Sequence, residues 1–97
     1  MRLGYEAQPV LYLVALKSDD EVAKAKTADY LASVSETCRD GFNGVWFIKS
    51  DKDAVELRDA LKQFLDPNDW IAIVLLAGFA AWHGFDPGCG KWLLEQW

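Results

Sequence analysis

Leu16-Lys17-Ser18-Asp19 and Ile48-Lys49-Ser50-Asp51 are one junction written twice. In each, an apolar run stops at lysine, and serine and aspartate follow where a helix would open. Upstream of the first, residues 10–16 form a nearly unbroken apolar run that includes Tyr12 and Val14. That is the pattern of a strand covered on both faces, hence of a central strand. Upstream of the second, Val45-Trp46-Phe47-Ile48 reads as another strand. Two strand-to-helix junctions of the same chemistry imply two pseudo-symmetric halves.

Working outward, Ser18 with Glu21 three residues later has the form of a capping box, in which each side chain satisfies an orphan amide of the first helical turn. Ala23, Thr27, Tyr30, Leu31, Val34 and Cys38 then recur at three- and four-residue spacing, and a helix ending near Ser35 could pack this stripe on a sheet. Residues 37–50 read as two short strands around Asn43-Gly44, a dipeptide that accepts the positive φ angles of a tight type I′ hairpin. After Asp51 and Asp53, the positions Ala54, Leu57, Leu61, Phe64 and Leu65 predict a second helix that ends before Pro67. Residues 70–76 are again continuously apolar, as in a strand buried on both sides. The order β-α-β-β-α-β predicts an α+β, ferredoxin-like fold: a four-stranded antiparallel sheet with two helices on one face. The chain reads as one domain, residues 1–97, with a core of about residues 9–78 and an aromatic extension over residues 79–97.

Composition bounds the function. A chain of 97 residues with 52% hydrophobic and 26% charged residues is globular in balance and should fold without a ligand. Its net charge of −5 opposes non-specific attraction to polyanions, so nucleic-acid contact would need a local basic patch. The longest apolar run, residues 70–77, is far shorter than the roughly 20 residues that cross a bilayer, and residues 1–10 lack the form of a signal peptide. The expectation is a cytoplasmic protein with no membrane partner. Cys38 and Cys89 have no CxxC spacing and read as reduced thiols, with a disulfide between them as the alternative.

Three stretches carry a family resemblance. They are Tyr12-Leu13-Val14; the run Val45-Trp46-Phe47-Ile48-Lys49-Ser50-Asp51 leading to Leu57-Arg58-Asp59-Ala60-Leu61; and Ala80-Ala81-Trp82-His83-Gly84-Phe85 followed by Lys91-Trp92-Leu93. Over residues 10–97 the chain resembles the small Cas-type ferredoxin-fold proteins of CRISPR adaptation, and more closely their stand-alone SinR-like relatives. The resemblance implies a homodimer. In the CRISPR and toxin branches it also implies metal-dependent nuclease activity or the scaffolding of DNA during spacer capture. The family's nuclease carboxylate lies at the end of the first strand, where this sequence has Lys17, and a cation there would repel a metal. The expectation is therefore a non-catalytic homodimeric binding or assembly module without a cofactor. The alternatives are a metal-dependent endoribonuclease using Mg²⁺ with Asp19, Asp20 or Asp51, and a protein-only regulator of an antiviral or toxin system.

Other candidate sites come from the residues themselves. If the first and third strands are adjacent and parallel, Lys17, Ser18, Lys49 and Ser50 meet at one sheet edge, where two helix N-termini and two ammonium groups would favour an anion. Asp19, Asp20, Asp51 and Asp53 could hold Mg²⁺ through oxygen ligands, although carboxylates at helix starts are already explained by the helix dipole. His83 could act as a general acid or base but has no evident partner. Pro87-Gly88-Cys89-Gly90 reads as a turn. Trp46, Phe47, Trp70 and Trp82 could stack bases, except that consecutive strand residues face opposite ways, so Trp46 and Phe47 cannot share a platform. Trp82, Phe85, Trp92, Leu93 and Trp97 should cover the open sheet face or a neighbouring subunit.

Overall fold

The computed structural model describes residues 9–42, 44–77 and 87–96. Its elements are β1 (Val10–Lys17), α1 (Glu21–Val34), β2 (Glu36–Phe42), β3 (Val45–Ser50), α2 (Ala54–Lys62), β4 (Trp70–Leu75) and α3 (Pro87–Leu94). The sheet runs β2-β3-β1-β4, with every neighbouring pair antiparallel. This is the ferredoxin-like arrangement, with α3 added after β4.

Alternation along the strands divides the sheet into two faces. Tyr12, Val14 and Leu16 of β1 share a face with Trp46 and Ile48 of β3, and with Leu31 of α1 and Leu57 and Leu61 of α2 they form the core. The intervening residues Leu11, Leu13 and Ala15 are half-buried on the opposite, open face. In α1 the buried positions are Ala23, Thr27 and Leu31, one turn apart. The two hairpin strands meet at Gly44, whose φ of +79° is a left-handed conformation that favours glycine. The Leu16 amide donates to the Gly44 carbonyl at 2.7 Å, so this turn is tied to the end of the central strand.

Helix starts differ from the expected form. The N-cap of α1 is Asp20, which accepts from the Val22 amide at 2.9 Å, while Ser18 Oγ accepts from the Asp20 amide at 3.1 Å. The capping box belongs instead to α2, where Asp53 and Glu56 bond each other's backbone amides. The echoed serines do the same work as each other: Ser50 Oγ accepts from the Lys52 amide, two residues on, just as Ser18 does from Asp20. Both brace the loop before the helix, and the aspartates cap it.

Three further expectations are corrected. β4 is an edge strand, and Trp70, Ala72 and Val74 are exposed rather than covered on both sides. Pro87-Gly88-Cys89-Gly90 opens α3, with proline at the first helical position, where its missing N–H costs nothing. Cys89 is disulfide-bonded, not a reduced thiol. Among the described residues no helix is long and apolar enough to cross a membrane.

Candidate functional site: the open face and its acidic edge

The antiparallel register of β1 and β3 decides which candidate residues meet. Leu11 stands opposite Lys49, and Val10 opposite Ser50. Lys17 is six residues further along β1 than Leu11, so it lies roughly 20 Å from Lys49 along the strand at about 3.4 Å per residue. The expected anion site of Lys17, Ser18, Lys49 and Ser50 is therefore not assembled, because the two junctions occupy opposite ends of the sheet. Ser50 is moreover buried and committed to structure: its hydroxyl donates to the Val34 carbonyl at 3.0 Å, joining the end of α1 to the start of the α2 loop.

The same register separates the carboxylates. Asp51 follows β3 at the Val10 end of β1, while Asp19 and Asp20 follow β1 at the other end. Asp19 and Asp20 instead join the loop before β4. Together with Lys17, Ser18, Asp66, Asn68 and Asp69 they line a cleft of about 420 Å³. Two of its four carboxylates are already engaged, Asp20 on the Val22 amide and Asp69 on the Asp66 amide at 2.9 Å. Among the described residues no group of three or more His, Cys, Asp or Glu side chains is placed to hold a metal ion. The cleft is acidic, and phosphate would be repelled from most of its wall.

Beside this cleft Lys17 turns to an aromatic partner. Its Nζ lies 5.3 Å from the centroid of the Trp70 ring, a cation–π contact across the register pair Lys17 and Trp70. Trp70 begins the exposed row of β4 on the open face, with 69% of its surface accessible, and Val74 has 51%. By register, Leu13 and Ala15 of β1 lie beside Val74 and Ala72 on one side and Phe47 and Val45 of β3 on the other. A smaller hollow of about 230 Å³ opens at the Gly44 end of this surface, among Ala15, Val45, Trp70 and Ala72. The open face is thus apolar across its middle, with Lys17 at one end and Lys49, opposite Glu36, at the other.

Of the stacking candidates, Trp46 is buried in the core while Phe47 and Trp70 belong to the open face. The interface candidates divide as well. Leu93 is buried within the chain and so is not available to a partner, whereas Trp92 is half-buried. Trp82, Phe85, Trp97 and His83 lie outside the described residues. Sequence reading did not single out Ala72 and Val74. Their signal was the edge position that the strand order assigns to β4, combined with the period of two.

The only resolved shift in acidity among the described residues is at Tyr12. Burial, followed by the negative charges of Asp53 and Glu56, pushes its hydroxyl above the ordinary tyrosine value. That hydroxyl donates to the Lys52 carbonyl at 2.9 Å, so it is a strut between β1 and the α2 loop.

No family model matches the chain, and no curated protein does. A crystal structure of a hypothetical protein, TT1823, from Thermus thermophilus is similar, with a TM-score of 0.65 and 28% sequence identity over 81% of this chain and 95% of that one.

Proposed function

We propose that the chain is a non-catalytic homodimeric binding or assembly module of the cytoplasm, related to the CRISPR-adaptation and SinR-like proteins that its sequence resembles. The observation that carries this reading is the exposed apolar row Trp70, Ala72 and Val74 of β4, continuous by register with half-buried Leu13, Ala15, Val45 and Phe47. A contiguous patch of this kind, rimmed by charges, marks an interaction site more often than a free surface. Its occupant is a second copy of the chain. The apolar middle can meet its own copy, and Glu36, beside Lys49 at one end, offers a partner to Lys17 of a second copy related by a two-fold axis. Lys17 supports the non-catalytic half of the proposal, because the end of the first strand presents an ammonium group held over Trp70 rather than a carboxylate.

Light scattering across a concentration series, on the intact chain and on Val74→Glu, tests the reading. Val74 is half exposed, so the charge enters without disturbing the core. The expected result is a dimer for the intact chain and a folded monomer for the variant. A nuclease assay of the same samples with Mg²⁺ and Mn²⁺ should show no cleavage of RNA or DNA. A monomeric intact chain would refute the assembly reading, and metal-dependent cleavage abolished by Asp20→Ala would replace it with the endoribonuclease.

A further inference from the structure

Helix α3 has little means of standing by itself. It has eight residues, Pro87–Leu94, fewer than the ~12 at which isolated helices begin to persist, and two of them are Gly88 and Gly90. What anchors it is one face. Cys89 and Leu93, a single turn apart, have only 4% and 2% of their surfaces exposed, and α3 packs on β2. The main core is built from β1, β3, α1 and α2 and includes no residue of α3. The helix therefore packs outside the main core.

Cys89 is disulfide-bonded. The chain has one other cysteine, Cys38, and position 38 stands opposite Phe47 in the β2–β3 register, on the strand against which α3 packs. Because Phe47 alternates with the core residues Trp46 and Ile48, that position is on the open face of the sheet. We propose that the bond from Cys89 closes on Cys38 and acts as a redox latch: oxidised, it ties α3 to β2; reduced, it frees α3 and uncovers the β2–β3 end of the open face. In a reducing compartment such a bond is open at rest and closes on oxidation, which is how disulfides of cytosolic proteins are commonly used.

The chemistry is ordinary thiol–disulfide exchange with a protein or small-molecule dithiol. A thiolate of the dithiol attacks one sulfur of the bond, forming a mixed disulfide, and the other cysteine leaves as a thiolate that takes up a proton. The second thiol of the dithiol then attacks the mixed disulfide and releases the first cysteine. Two electrons and two protons pass to the chain, and the dithiol departs as a cyclic disulfide. Closure is the reverse, with a disulfide such as oxidised glutathione as electron acceptor. The latch does not depend on the assembly reading, since it concerns contacts within one chain.

The test uses the full chain, first equilibrated with oxidised glutathione and then with dithiothreitol. Thiol titration under denaturing conditions and a non-reducing peptide map report the bond, and hydrogen exchange reports its effect. The expected result is no free thiol and a Cys38–Cys89 peptide pair after oxidation. After reduction there should be two thiols, with exchange over residues 87–96 at least roughly tenfold faster and accelerated well beyond any change in β1 and β3, since opening the cross-link also lowers global stability. Cys89→Ala should behave as the reduced chain without any reductant. Two free thiols after oxidation, a bond between chains, or equal exchange in both states would overturn the latch. So would an acceleration in β1 and β3 equal to that over residues 87–96, because the bond would then act only as a staple of the whole fold.

Discussion

Gly44→Ala is expected to destabilise the fold by ~2 to 5 kcal/mol, for two separable reasons. The first is conformational: at a φ of +79° a side chain meets its own backbone, which costs ~1 to 2 kcal/mol for an L-residue. The second is steric and long-range. A Cβ at this position would lie 2.6 Å from the Leu16 carbonyl oxygen, well inside van der Waals contact. That oxygen is backbone of the central strand and cannot rotate aside. Relief requires the hairpin to lift from β1, lengthening or breaking the 2.7 Å bond from the Leu16 amide to the Gly44 carbonyl. A lost bond that strands a buried amide costs ~1 to 3 kcal/mol.

Equilibrium urea unfolding measures the sum, as a fall in midpoint at unchanged slope. In a domain of this size the same loss lowers Tm by on the order of 10 to 25 °C. Gly44→Asn separates the two causes, because asparagine tolerates the left-handed region but carries the same Cβ. It should recover only the conformational part and remain clearly less stable than the native chain. A loss below about 1 kcal/mol for alanine would refute the close approach, and an asparagine variant as stable as the native chain would refute the steric half alone.

Three other substitutions probe the struts around the sheet. Tyr12→Phe removes a hydroxyl whose folded pKa lies above the unfolded value of about 10, so the unfolded chain loses its proton first. Stability present below about pH 10 is therefore lost as pH rises through the folded value, and the native chain should lose more above that pH than Tyr12→Phe does, as read by urea midpoints across an alkaline series. Ser50→Ala deprives the Val34 carbonyl and the Lys52 amide of their shared partner and should cost ~1 to 3 kcal/mol by the same method. Thr27 Oγ1 is fully buried with no hydrogen-bond partner, so Thr27→Val, of nearly the same shape, should raise stability by ~0.5 to 2 kcal/mol in calorimetry; a loss instead would mean that the hydroxyl is satisfied.

The elements of this fold were legible because their signals are local. A nearly unbroken apolar run over residues 10–16, an Asn-Gly turn and a proline at position 67 each constrain a few neighbouring residues and need no knowledge of the rest of the chain. The direction of β1 against β3 is different, because it follows only from the connections. A crossover helix makes β1 and β2 parallel; the tight hairpin makes β3 antiparallel to β2; β3, lying between them, is then antiparallel to both. That step separates Lys17 from Lys49, and no property of either residue reports it. The repeat of Lys-Ser-Asp marks pseudo-symmetry correctly, but a pseudo-two-fold axis carries the two copies to opposite ends of the sheet instead of bringing them together. The bond at Cys89 was illegible for a related reason: no spacing near Cys89 encodes it, and only the docking of α3 on β2 brings the helix to the strand that contains position 38.

The division of labour between the two faces explains why association and folding can be governed separately. Everything in the main core lies between the sheet and α1 and α2, while the apolar residues of the open face are half-buried or exposed. Trp70 and Val74, both on the exposed side of an edge strand, retain surface whose burial is worth up to ~1.5 to 3 kcal/mol for a complete side chain. A second copy seated there gains that energy on both sides of the interface without either protomer having to refold. Helix α3 packs on β2 through buried Leu93 and Cys89, and the proposed bond to position 38 sets it at the β2 end of the same face. A latch at that end enlarges or reduces the uncovered apolar area while leaving the β1–β4 surface unchanged. The oxidation state of the latch should therefore shift the strength of self-association, in addition to the loss of global stability that opening a cross-link entails.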